Sequence, residues 1–293
     1  MSALLWALRH PLNQHRRAAT LARWAAHNAR RRIIHDREVT LTFNGMSLRG
    51  PIDHPIVNLA TYVQGGLYDY DAMTSLSVLL EPGQLFIDVG ANIGPYSVLA
   101  AGLVGASGQI VAVEPSADQL SYLRRNLQDL PAECLISTAP LADRPRAVGL
   151  VADGPTIQHF VESTASDAVE RTSTLDAELA RLGLQDRGGF AKVDVEGWEP
   201  AVIAGAQRWL ASRPDGLLVE ANGLNHRSPV SWLESVQILR ERGYEFAWAE
   251  FSKKTLHLFA DPAPTSPFGD YLILAPEARE RLQQVARLRI QHT

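Results

Sequence analysis

Two short stretches hold residue types that do chemistry at spacings that bring them to bear on one ligand. In the first, residues 86–101 (FIDVGANIGPYSVLAA), an apolar run leads into Asp88. The turn Gly90-Ala91-Asn92-Ile93-Gly94 follows, and an apolar helical pattern opens on Pro95. Gly90 and Gly94 admit positive φ and let a ligand lie against bare backbone. Proline suits a first helical position, where its missing N–H costs nothing. The free N–H groups of such a turn and the start of the helix favour an anionic or dipolar ligand. The next apolar, β-branched run, 109–113, ends in Glu114-Pro115-Ser116. Glu114 lies about where an acid reaches a ribose diol in a nucleotide-type fold. The second stretch is residues 190–210 (FAKVDVEGWEPAVIAGAQRWL). Strand alternation puts Lys192, Asp194 and Glu196 on one face. Buried charges are costly unless paired. The trio is therefore either a lysine–carboxylate pair closing a sheet edge or a functional site on the same side as the Gly90 turn.

Asp88 bears on the ligand type. A nicotinamide or flavin dinucleotide would lay a pyrophosphate against this turn, and an acid at its entrance repels that charge. S-adenosylmethionine has no phosphate and carries a cationic amino group and a sulfonium, so an acid there is favourable. Asn92 offers both a donor and an acceptor to the amino-acid end. Two structural alternatives stand beside this: a plain strand–turn–helix connection, and a solvated glutamate at position 114.

Methyl transfer from a sulfonium is an in-line displacement in which the protein aligns the nucleophile and removes its proton. The candidate bases are Asp194, Glu196 and His226. His226 has the most suitable ordinary pKa; Asp194 has the better position and ranks first. A metal route is the alternative, with Asp194, Glu220 and Asn222 from neighbouring strand ends holding Mg²⁺.

The elements that must position these residues follow from pattern. The chain has 293 residues, 46% hydrophobic and 20% charged, enough for one large α/β domain with additions. A single cysteine, Cys134, excludes an intramolecular disulfide and fits a reducing cytoplasm; it reads as a buried strand residue. The net charge of −4 gives no case for nucleic acid. Residues 1–40, however, carry eight arginines against Asp36 and Glu38, a net +6 that leaves −10 for the rest. No apolar run approaches the ~18–20 residues of a membrane span, and no signal peptide is legible. Residues 2 to 34 read as a helix broken near Pro11. A basic helix carrying Trp6 and Trp24 either lies on an anionic membrane surface or docks on the domain with its arginines in water.

Residues 39–43 and 46–49 flank Asn44-Gly45 and predict a hairpin. Residues 58–71, rich in glycine and tyrosine, read as a loop or lid, and 73–80 as a helix. A helix over 119–130 and a third strand over 134–137 follow. Asp143, in the loop after that strand, can accept the adenine amine or simply cap a turn. Residues 148–151 and 157–161 predict an antiparallel excursion, with a short helix from 173–176. After the strand at 217–219 come a loop with His226 and a helix to Arg240. Strands are predicted at 245–250 and 271–274, a loop over 261–267, and a terminal amphipathic helix over 277–291. The boundaries expected are 1–60 for a helical and hairpin extension, 61–275 for the main domain and 276–293 for the last helix.

These residues together resemble the FkbM-type methyltransferases, a class I S-adenosylmethionine-dependent family. The resemblance rests on FIDVGANIGPYS at 86–97, VAVEPS at 111–116, LAD at 141–143 and KVDVEGWE at 192–199, with GLYDYD at 66–71 before the first core strand. It covers roughly residues 60–225. It implies a Rossmann-like, seven-stranded, mostly parallel sheet with helices on both faces. It also implies S-adenosylmethionine as donor and a hydroxyl of a glycan or natural product as acceptor; methylation of an amine or peptide, and a non-catalytic protein that kept the fold, are the rivals. By the resemblance, Asp88, Gly90, Asn92 and Gly94 hold the methionine end, Glu114 holds the ribose, and Ala91 and Ser116 line the same groove. The third-strand loop departs from the family's usual Ala-Leu-Ser-Asp, which leaves the role of Asp143 open.

Removal of residues 1–35 is expected to weaken co-sedimentation with anionic vesicles if the basic helix lies on a membrane; unchanged co-sedimentation removes that reading.

Overall fold

The computed structural model of the chain describes residues 2–33, 38–152, 158–162 and 170–293. In chain order the helices are α1 (Ala3–Arg9), α2 (Arg17–Ile33), α3 (Pro55–Tyr62), α4 (Tyr70–Leu79), α5 (Pro95–Val104), α6 (Ala117–Leu127), α7 (Leu175–Arg181), α8 (Glu199–Ala204), α9 (Gln207–Ala211), α10 (Trp232–Arg240) and α11 (Pro276–Val285). The strands are β1 (Glu38–Phe43), β2 (Met46–Pro51), β3 (Leu85–Val89), β4 (Gln109–Val113), β5 (Glu133–Ser137), β6 (Ala147–Ala152), β7 (Gln158–Glu162), β8 (Glu170–Arg171), β9 (Gly189–Val193), β10 (Gly216–Asn222), β11 (Glu245–Glu250), β12 (Thr255–Phe259), β13 (Thr265–Leu274) and β14 (Arg289–His292). Among the described residues, no helix is long and apolar enough to cross a membrane.

The main sheet runs β14-β12-β11-β13-β10-β9-β3-β4-β5. Its centre, β10-β9-β3-β4-β5, is parallel, and β13 runs antiparallel between β10 and β11. Central parallel strands are covered on both faces, so they read as continuous apolar runs. All five residues of β3 and all five of β9 are buried, Asp88 and Lys192 included. Alternation then divides the core. Phe86, Ile110 and Phe190 pack under α4, α5, α6 and α11. Leu85, Ile87, Val111, Ala191 and Val193 pack under α7, α8, α9 and α10. By the same alternation Asp88 and Lys192 lie on the α5 face.

The sheet has nine strands where seven were expected; β12 and β14 extend it beyond β11. The terminal helix stops at Val285, Arg287 takes φ 52°, and Arg289–His292 pairs with β12. The arginines there resembled a helix face because an edge strand tolerates charge on both sides. Other expectations are corrected too. Much of 58–71 is helical, in α3 and from Tyr70; only 63–69 connects them. The proline-rich stretch 261–267 is loop only to residue 264. β13 starts at Thr265, and Pro267 is tolerated beside a bulge that shifts the register between Glu220 and Asn222. Strand β9 ends at Val193, two residues early. Cys134 is half-buried rather than buried. The antiparallel excursion forms between β6 and β7, although residue 157 lies outside the described residues.

The N-terminal segment docks on the sheet domain. The hairpin β1–β2 turns on Asn44 (φ 45°) and Gly45 (φ 83°), a pairing of primed-turn conformations that suits strand twist. Helices α1 and α2 join through a short 3₁₀ turn, Pro11–Asn13. Asn13 is fully buried and donates to the Ala7 and Tyr62 carbonyls, each at 2.9 Å, while its oxygen accepts from Arg23 at 2.9 Å. On α6, Asn126 accepts from the Arg49 N–H at 2.8 Å and donates to the Arg49 and Ile93 carbonyls at 2.9 and 2.7 Å. One side chain thus ties the hairpin to the glycine turn.

Asn126→Ala leaves a buried N–H and two carbonyls without their partner. It is expected to lower the free energy of unfolding in urea by about 2–3 kcal/mol, near the upper end for orphaned buried groups.

Candidate active site

The two motif stretches meet at the carboxyl ends of β3, β4 and β9, around a cavity of about 300 Å³. Its floor is the glycine turn. The Gly90 and Ala91 N–H groups donate to the Val113 carbonyl at 2.9 and 3.0 Å, so the turn is fastened to the end of β4. Gly90 sits at φ 81°, and a Cβ there would fall 1.8 Å from the Asp194 carbonyl oxygen. Glycine is therefore demanded first by the end of β9, whatever the ligand. Gly94 is demanded by its φ of 90°, and a Cβ there would also press on the Leu123 side chain at 2.8 Å. Gly94 lies outside the cavity wall, and so does Asp88.

Asp88 is 1% exposed beneath the floor. One oxygen accepts from the Ser97 hydroxyl at 2.7 Å, and the other has no hydrogen-bond partner. Its register partner across β3 and β9 is Lys192. Burial raises the Asp88 pKa, and the Lys192 charge opposes the rise.

One end of the cavity is polar. Glu114 is buried, accepting from the Asn92 N–H and the Ser116 N–H, both at 2.8 Å. Burial pushes its pKa up to about 7 against those two hydrogen bonds. Asn92 adopts φ 53° and spends its side-chain oxygen on the Ile93 N–H at 2.8 Å. Ser116, Gln119 and His54 complete this end.

The other end is acidic. Lys192 is 6% exposed, donates to Asp194 at 2.9 Å and stands 5.0 Å from the centre of the Tyr96 ring. Burial alone would lower its pKa; the carboxylates of Asp194 and Asp88 outweigh that and hold it above the ordinary lysine range. The Tyr96 hydroxyl donates to Asp69. Burial raises the Asp69 pKa, and Asp194 adds to the rise. Glu196 (φ 57°) points its backbone out of the strand geometry, so it does not continue the alternation of Lys192 and Asp194. Glu199 organises this bend. One of its oxygens accepts from the Val195 and Gly197 N–H groups at 2.9 and 3.0 Å, and the other from Asn225 at 3.2 Å.

Of the residues singled out in the sequence, Gly90, Ala91, Asn92, Glu114, Ser116, Asp194 and Glu196 line the cavity. Asp143 does not: it pairs with Arg146 at 2.6 Å and with Arg144 at 3.7 Å. His226 does not either; it is exposed on a 3₁₀ turn, its Nδ1 3.2 Å from the Gly223 carbonyl oxygen. Asn222 is exposed and accepts from the Leu224 N–H at 3.0 Å. Asp194, Glu196 and Glu220 instead bring ligand atoms within 4.8 Å of one another. The sequence reasoning missed His54, Asp69, Tyr96 and Gln119. Asp69 lies in the GLYDYD stretch and Tyr96 in the glycine motif, so both had a signal; His54 and Gln119 had none.

A family model described as the methyltransferase FkbM domain matches residues 88–246, more than half of the chain. No curated protein matches the sequence. Among solved structures, the chain is similar to a methyltransferase FkbM from Methylobacillus flagellatus, at 15% identity and a TM-score of 0.36, over 87% of this chain and 58% of that one. It is also similar to an Aeropyrum pernix fibrillarin in complex with S-adenosyl-L-methionine, at 14% identity and a TM-score of 0.38, over 81% of each chain. A precorrin-6y C5,15-methyltransferase from Geobacter metallireducens matches at 17% identity and a TM-score of 0.37, over 61% of this chain and 73% of that one.

Burial pushes both Glu114 and Glu199 up to about 7. A carboxyl held above its unfolded value contributes stability that is complete below its ordinary range and is lost as pH rises through the folded value. The ligand-free protein is therefore expected to melt at a lower temperature at pH 8.5 than at pH 6. Glu199→Gln, which keeps an acceptor for the bend, should reduce that difference in thermal denaturation.

Proposed function

We infer the reaction from one premise: the chain belongs to the FkbM methyltransferase family. The reading is an S-adenosylmethionine-dependent transfer to a hydroxyl of a saccharide or natural product. The observation that carries the donor assignment is the polarity of the cavity, whose Glu114 end suits a neutral sugar and whose far end gathers Asp69, Asp194 and Glu196 around one lysine. That field favours a cationic group over a pyrophosphate. The residues fit the donor. Glu114 keeps lone pairs free for two ribose hydroxyls, and Asp69 offers an acceptor for the amino group.

When bound, S-adenosylmethionine supplies an activated methyl group. The protein's task is alignment and proton removal. Asp194 is the assigned base. Lys192 fixes its orientation at 2.9 Å, and its side chain is 36% exposed, so an acceptor hydroxyl can reach it. Glu196 stands beside it; burial, then the Asp194 charge, raises its pKa. His226 is dropped from this role because it lies away from the cavity. The acceptor enters over Asp194 and Glu196, on the open side of the acidic end.

A divalent cation is a second reading, favoured by the cluster of Asp194, Glu196 and Glu220. Burial and the neighbouring acids push Glu220 up to about 10, and its Oε2 is buried without a partner. A bound Mg²⁺ would relieve that repulsion and hold an acceptor oxygen. Glu196 takes the place expected for Asn222.

The test is incubation with methyl-labelled S-adenosylmethionine and a panel of saccharides, hydroxylated natural products and amines. Label in a hydroxyl supports the reading; label only in amines overturns the acceptor assignment. No turnover, together with no binding of S-adenosylhomocysteine, overturns the donor. Asp194→Asn is expected to lower kcat about 10²-fold or more, the scale of a lost general base. Activity unaltered by EDTA eliminates the metal.

A further inference from the structure

We propose that His54 binds the methyl donor, its imidazole hydrogen-bonding the ribose–adenine end from a cavity wall that the N-terminal segment supplies. The inference rests on the donor reading above and deepens it. His54 precedes α3, far from either motif, and lies outside the region matched by the family model. It is 6% exposed, and neither Nδ1 nor Nε2 meets a partner at good hydrogen-bond geometry, although the Gln119 and Asn92 side chains stand near enough to interact with the ring. Buried polar side chains are almost always partnered. A ring in a cavity wall whose neighbouring amides make no well-formed bond to it leaves a place for a ligand to complete the bonding.

The surroundings say which part of the donor that is. Asn92 and Gln119 are the polar side chains near the ring, and the Asn92 N–H is bonded to Glu114. His54 therefore shares the end of the cavity marked by Glu114, Ser116 and Gln119, away from the acidic end of Asp69 and Asp194. The backbone that carries the ring is held in place. The His54 N–H donates to the Pro51 carbonyl at 2.9 Å and its carbonyl accepts from the Asn58 N–H at 3.0 Å. Ile52 and Val57, on either side in sequence, are buried against Ile93 of the glycine turn. Burial lowers the His54 pKa against the Gln119 and Asn92 side chains, which favours the neutral imidazole, with one donor and one acceptor. That pair matches a ribose hydroxyl or the adenine edge, and it supplements Glu114, which as a carboxylate only accepts.

The test is calorimetry on full-length wild type and His54→Ala with two ligands: S-adenosylhomocysteine, and 5′-methylthioadenosine, which lacks the amino-acid end. Both are expected to bind the variant about 10-fold more weakly, the scale of one lost hydrogen bond. KM for the donor should rise with kcat nearly unchanged, and His54→Gln should recover part of the loss. Unchanged affinities in a folded His54→Ala overturn the proposal. Loss confined to S-adenosylhomocysteine overturns the placement at the adenosine end. Wild type that binds neither ligand overturns the donor reading instead. Should His54→Ala fail to fold, ¹⁵N NMR of the wild-type imidazole decides: ring-nitrogen shifts that move on saturation with 5′-methylthioadenosine support the contact, and shifts that stay overturn it.

Discussion

The site is built around a buried lysine. Lys192 sits in the middle of a parallel sheet, in register with Asp88 and 2.9 Å from Asp194. A charge so placed costs several kcal/mol unless it is paired, and here the acids outnumber it. Asp88 lies below the lysine, Asp194 in front of it, and Asp69 is joined to Tyr96, whose ring the ammonium faces. The ends of β3 and β9 are thereby fixed against one another. The same close approach forces glycine at position 90, where the Asp194 carbonyl leaves no room for a side chain.

From this follows the division of the cavity. Carboxyl groups crowd the lysine end, while the Glu114 carboxyl is wired by backbone N–H groups. A ligand with a sugar at one end and positive charge at the other is matched by that gradient, and a pyrophosphate is opposed by it. The acids at the lysine end bear raised pKa values, as expected where carboxyls share a poorly solvated space.

The N-terminal segment has a larger part than its sequence suggested. Its basic, tryptophan-bearing helices read as an appendage. In the structure Asn13, Arg23 and His27 bond it to α3 and the turn that follows, and Asn126 carries the connection through the hairpin to the glycine turn. The segment presents His54 and Ile56 to the cavity. Docking on the domain was one of the two sequence readings, but the contacts that make it were not legible, because each pairs residues dozens of positions apart and neither partner carries a pattern of its own.

What the sequence determined by itself is local and periodic. The apolar runs marked the parallel strands, Asn44-Gly45 the hairpin, Gly90 to Gly94 the strand–turn–helix, and Glu114 the end of the neighbouring strand. These depend on backbone conformation and on burial of a face, and both are written in consecutive residues. The edge strand β14 escaped because an edge need not alternate cleanly. Tertiary structure alone decided which polar groups meet. It placed Asp143 against Arg146, left His226 in solvent, moved Asp88 from the cavity to beneath its floor, and set Glu196 in place of Asn222 beside Glu220. Those outcomes depend on where separate strand ends and turns come to rest in space, and on the balance between solvating a charge and pairing it. No short window of residues contains that balance.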